Sequence, residues 1–195
     1  IAPGLIMMSV ITNSFGNVVS SFFSGKLQLN LEELLVSPLD FTTIIIGYVA
    51  GGVARGLAVA VLVTIVASFF TDLSIVHPLV TISVVILTAI VFSLAGLLNA
   101  IFANSFDDIS IIPTFVLAPL TYLGGVFFSI TLLSPFWQKV ALANPILYMV
   151  NAFRYGMLGS SDIHLGTAFI IILVAVFGLF GLALFLLRRR IGIRT

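Results

Sequence analysis

The sequence predicts an all-α polytopic membrane helix bundle, and three observations carry that prediction. Hydrophobic residues fill 61% of the 195 positions and charged residues only 8%, a balance that would leave large apolar areas facing solvent in a water-soluble fold. Mean hydropathy is +1.29. Five apolar stretches, about 1–23, 38–70, 79–103, 109–133 and 166–187, each pass the length test for a hydrocarbon core of roughly 30 Å, which takes about 20 residues of helix.

Composition also excludes several classes of function. With a net charge of +1, and with basic residues set beside apolar spans instead of along a stripe, no nucleic-acid partner is expected. Cysteine is absent, which removes disulfides, thiolate metal sites and cysteine nucleophiles. The chain opens on Ile1. Residues 1–23 are too long and too rich in Asn and Ser for a signal-peptide core, so the expectation is a piece lacking its natural start.

The first span carries Asn13, Ser14, Gly16, Asn17, Ser20 and Ser21, small or polar side chains that allow close helix contact and interhelical hydrogen bonds. A polar interruption at residues 26–40 follows, and the chain is organised around it. Asn30 caps a short helix over about 30–37 and Glu33, three residues on, reaches back in a capping box, with Glu32 and Glu33 on the positive end of the dipole. Leu27, Leu31, Leu34 and Leu35 share one face, whereas Lys26, Asn30, Glu33 and Ser37 share another, as suits a helix lying against a surface. Ser37, Pro38 and Asp40 then signal a second helix start.

The second span pairs Gly47 with Gly51 and Gly52 with Gly56 at small-xxx-small spacing, so another backbone can approach it. Arg55 sits among these glycines. Counted back from Phe70, it lies about 8 Å inside the near boundary, which leaves two readings open: a snorkelling arginine or one half of a functional ion pair. His77 and Pro78 open the third span after a short link, with His77 read as a loop residue. Ser105 and Asp108 repeat the capping-box spacing. That makes Asp107 and Asp108 helix-start residues first, with pairing to Arg55 or to a neighbouring subunit as the alternative.

Pro113, Pro119, Gly124 and Gly125 predict a kinked or broken fourth span, because a mid-helix proline removes a backbone bond and bends the axis. The stretch 119–125 is either a pathway wall or a packing kink. Ser134-Pro135 and Asn144-Pro145 start two helices, about 135–143 and 145–158, too short to span and therefore interfacial or re-entrant. Trp137, Tyr148 and Tyr155 fit headgroup depth. His164 is a loop residue without partners of metal-ligand type. With five spans, Lys26, Arg188, Arg189, Arg190 and Arg194 share one side, against Lys139 and Arg154 on the other, which puts the Lys26 side and the C-terminus in the cytoplasm.

Two stretches bring a family resemblance: Pro119-Leu-Thr-Tyr-Leu-Gly-Gly-Val-Phe-Phe128 and Asn144-Pro-Ile-Leu-Tyr-Met-Val-Asn-Ala-Phe-Arg-Tyr-Gly156. With Glu32-Glu33-Leu-Leu-Val-Ser-Pro38 and Arg55-Gly56, they resemble the signature of type-2 ATP-binding-cassette permeases, the membrane halves of bacterial exporters. The resemblance covers essentially the whole chain. It implies a six-span inner-membrane subunit that pairs with a second copy and works with a separate ATPase, two copies of which bind ATP and Mg. It also implies that Asn30, Glu32, Glu33, Leu34 and Ser37 belong to a coupling helix seated in that ATPase. Pro119, Tyr122, Gly124, Gly125, Phe128, Asn144, Pro145, Tyr148 and Arg154 become pathway or re-entrant candidates.

The residues themselves offer no phosphate-binding lysine loop, no His-Glu-x-x-His and no Gly-x-Ser-x-Gly, so no catalysis, cofactor or metal is expected on this chain. The reading is an ATP-driven export permease. An ion- or proton-coupled secondary transporter or channel, and a non-transporting membrane scaffold, are the alternatives.

Overall fold

A computed structural model describes residues 2–28, 39–71, 73, 75–127, 129–189 and 191. These residues are helical or irregular, with no strand among them. Five helices are long and apolar enough to cross a membrane: α1 (Ala2–Leu27), α2 (Phe41–Ser68), α3 (Pro78–Phe102), α4 (Phe106–Leu123) and α7 (Leu165–Arg189). Two shorter ones, α5 (Pro135–Leu142) and α6 (Pro145–Leu158), lie between α4 and α7.

The interior is built on α1 and α3, whose mutual contact is the most extensive in the bundle. Ile6, Val10, Phe15, Val18 and Phe22 of α1 and Val84, Ala89, Leu94, Leu97 and Ile101 of α3 are fully or almost fully buried. Around this pair, α2 packs on both, α6 packs on both and on α7, and α7 packs on α3. Close approach explains the choice of small residues. A Cβ at Gly52 or Gly56 of α2 would strike the hydroxyls of Ser93 and Ser14, and one at Gly96 of α3 would stand 2.6 Å from the Phe15 carbonyl oxygen. The small-xxx-small spacing read from the sequence therefore serves helix crossing at Gly52 and Gly56.

Most helix starts fall where the caps predict. Pro78 is the first residue of α3, and Asn144 caps α6 by accepting from the Ile146 N–H at 3.0 Å. At α4, Ser105 Oγ accepts from the Asp108 N–H at 3.2 Å while Asp108 Oδ2 accepts from the Ser105 N–H at 3.0 Å, a complete capping box. The second span begins at Phe41 with Asp40 as its N-cap, whereas Pro38 lies outside the described residues.

The fourth span is shorter than the expected 109–133. Over Ile112–Leu117 the helix widens into a π turn in which the Ala118 N–H bonds the Pro113 carbonyl, five residues back. Widening there shifts the carbonyls that the Pro119 ring would strike in a regular helix. The helix then ends at Leu123, with Gly124 as C-cap and Gly125 at φ 75°, a conformation that costs side-chain-bearing residues more. A 3₁₀ turn, Ile130–Leu132, leads on to α5.

Candidate functional site

Asn30, Glu32, Glu33, Leu34 and Ser37 lie outside the described residues, but both ends of their segment are fixed. On the α1 side Lys26 is buried, at 7% exposure, and its ammonium donates to the Ala103 carbonyl at 2.9 Å and the Ile101 carbonyl at 3.1 Å. A cation on the last carbonyls of α3 satisfies groups that the helix itself leaves unbonded and complements its dipole. On the α2 side Asp40 makes no cap hydrogen bond with its side chain. The side chain of Thr42 lowers its carboxyl below the ordinary value, with Arg188 near the end of α7 adding a favourable charge. Helices α1 and α3 are thus joined on one flank of residues 29–38, and α2 begins on the other.

At the other end of the bundle, the structure brings the two signature stretches together. Asn144 Nδ2 donates to the Leu120 carbonyl at 2.6 Å, which joins the cap of α6 to the bent end of α4. Arg154 Nη2 donates to the Gly125 carbonyl at 2.8 Å, and its Nη1 lies 3.4 Å from Asp162 Oδ2. Ser129 Oγ donates to the same carboxylate oxygen at 2.6 Å, and the Asp162 N–H donates to Asn151 Oδ1 at 3.2 Å. Tyr122 stacks on Phe127 at 5.5 Å, and the Tyr148 hydroxyl donates to the Leu142 carbonyl. A Cβ at Gly124 would collide with Ile146, while Pro145 opens α6. Phe128 lies outside the described residues.

Arg55 is not brought to Asp107 or Asp108. Among the described residues the ion pair present is Arg154 with Asp162. Arg55 is exposed and stands midway along α2, where the flanking Gly52 and Gly56 meet Val18, Ser93, Ser14 and Ala89 near the midpoints of α1 and α3.

Sequence reasoning missed the Lys26 lock and the Asp162 hub. Lys26 was legible only as a charge at a span end. Asp162 carried a fainter signal: on the side holding Arg154 the acidic residues are Asp72 and Asp162, so an arginine on an apolar helix there had few partners to choose from.

A sequence profile described as "ABC-2 type transporter" matches residues 1–158. The chain belongs to the ABC-2 type transporter family. This permease is 55% identical to "Inner membrane transport permease YadH" of Escherichia coli strain K12 over 196 aligned residues, covering 100% of the chain and 76% of that relative. The protein of that name from Shigella flexneri matches to the same extent. "Nodulation protein J" of Rhizobium meliloti strain 1021 is 24% identical over 167 residues, 85% of the chain and 64% of that relative. The permease is accordingly a membrane transport component with several membrane-crossing helices.

Proposed function

We propose that the chain forms one permease domain of an ATP-driven exporter in a bacterial inner membrane, paired with a second copy across the translocation pathway. A separate ATPase, two copies per assembly, binds ATP and Mg and supplies the driving force through residues 30–37, which face the cytoplasm together with the C-terminus. The observation that carries this reading is the pair of anchors flanking that segment. Force applied to Glu32 and Glu33 would reach α3 through the Lys26 ammonium on the Ile101 and Ala103 carbonyls, and α2 through the chain itself at its N-cap Asp40. The relatives named as inner membrane transport permeases support the membrane and the activity. Pro119, Tyr122, Gly124, Gly125 and Phe128, with the re-entrant α5 and α6, shape the outer end of the pathway; Asn144, Pro145, Tyr148 and Arg154 hold that shape.

Affinity purification from membranes in the presence and absence of nucleotide tests the assembly. An ATP-binding-cassette ATPase should co-purify and respond to nucleotide. Failure to recover one in any nucleotide state overturns the proposal, and transport driven in vesicles by an imposed proton or sodium gradient without ATP replaces it with ion coupling.

A further inference from the structure

The middle of α2 presents a cation without an acid. Arg55 lies about 20 Å along the axis from either end of α2, so its charge sits on the middle third of a membrane-crossing helix. The described helices α1, α2, α3 and α7 carry no Asp or Glu, and Arg55 makes no hydrogen bond or ion pair among the described residues. A charge at this depth is costly unless it faces water or an opposite charge.

Its surroundings are rich in donors. Gly51, one turn before Arg55 on the same face, stands where a Cβ would meet Asn17 Nδ2 at 3.5 Å, so Arg55 shares its groove with the polar stripe of α1. Thr12, Asn13, Ser20 and Ser21 of that stripe spend donors on carbonyls of their own helix. Asn17 does not; its carboxamide makes no hydrogen bond among the described residues. A guanidinium with five donors beside an amide with two suits an acceptor-rich anion.

We propose that Arg55, assisted by Asn17, binds the phosphate or carboxylate of a membrane-resident amphiphile in the groove between α1 and α2. Bulk anionic lipid and exported cargo could both present that group; identifying it with cargo rests on the export reading, whereas the site does not.

The test is saturable binding of dodecyl phosphate to the full protein in phosphatidylcholine vesicles, with dodecyl maltoside as the neutral control and ATPase activity of the complex read in parallel. Dodecyl phosphate should bind and the maltoside should not. Arg55→Gln should weaken binding by tenfold to about a hundredfold, Arg55→Lys should keep most of it, and Asn17→Leu should weaken it less than Arg55→Gln. Competition by phosphatidylglycerol at bilayer concentrations assigns the site to lipid; ATP-dependent movement of dodecyl phosphate between leaflets, undisturbed by phosphatidylglycerol, assigns it to cargo. Equal binding by wild type and Arg55→Gln, or of both amphiphiles, overturns the inference. Arg55-dependent binding with no ATP-binding-cassette ATPase recovered in any nucleotide state leaves the site standing and removes the export reading, and a nucleotide-responsive ATPase in the complex with Arg55-independent binding does the reverse.

Discussion

One ammonium fastens the last turn of α1 to the last turn of α3. Lys26→Met should remove a charged donor from the Ile101 and Ala103 carbonyls and lower stability by about 1–3 kcal/mol; Lys26→Arg should recover part of it. Thermal unfolding in detergent measures both, and equal midpoints for Lys26→Met and wild type would show the lock to be idle. The glycines divide in the same assay. Gly96→Ala places a Cβ against the Phe15 backbone, which cannot swing aside, and should cost about 1–3 kcal/mol. Gly47→Ala meets open space and should leave the midpoint unchanged or raise it slightly, since alanine favours the helix over glycine. Small-xxx-small spacing marks Gly47 as a contact residue all the same, because a pattern along one helix does not say which neighbour lies opposite.

While α6 itself is packed into the core through Ile146, Met149, Val150, Phe153 and Met157, the ends of α4 and α6 are joined by hydrogen bonds to irregular backbone. Arg154 is central to this, since it serves both the Gly125 carbonyl and Asp162. Asp162→Asn should cost below about 1 kcal/mol, because the ion pair is long and partly exposed. Arg154→Met should cost more, about 1–3 kcal/mol, because it also strips a charged donor from Gly125. The reverse order of thermal midpoints would mean that Asp162, through Arg154 and Ser129, and not the bond to the Gly125 carbonyl, holds α6 to the segment after α4. Helix starts at residues 78, 106, 135 and 145 were legible because serine, asparagine and proline act on amides within a few residues. The end of α4 was not: apolarity continues beyond Leu123, and the stop comes from two prolines and a glycine pair acting on backbone geometry.

For the whole molecule, the number and type of spans followed from hydropathy, because lipid leaves a spanning chain little choice but helix. The arrangement did not. That α1 and α3 form the interior while α2 and α4 keep wide exposed apolar faces follows from long-range packing between helices. Those faces, with Val61, Leu62 and Ile65 on α2 and Phe115 and Val116 on α4, stay exposed and apolar, as suits contact with lipid. The Lys26 bonds and the N-cap Asp40 join the flanks of residues 29–38 to the ends of α1, α3 and α2, and the proposal that an ATPase drives this protein rests on them. ATP hydrolysis by the reconstituted complex, measured for wild type and for Glu32→Lys combined with Glu33→Lys, tests it most directly: the double substitution should leave membrane insertion intact and return hydrolysis to the rate of the isolated ATPase, and undiminished stimulation would contradict the account.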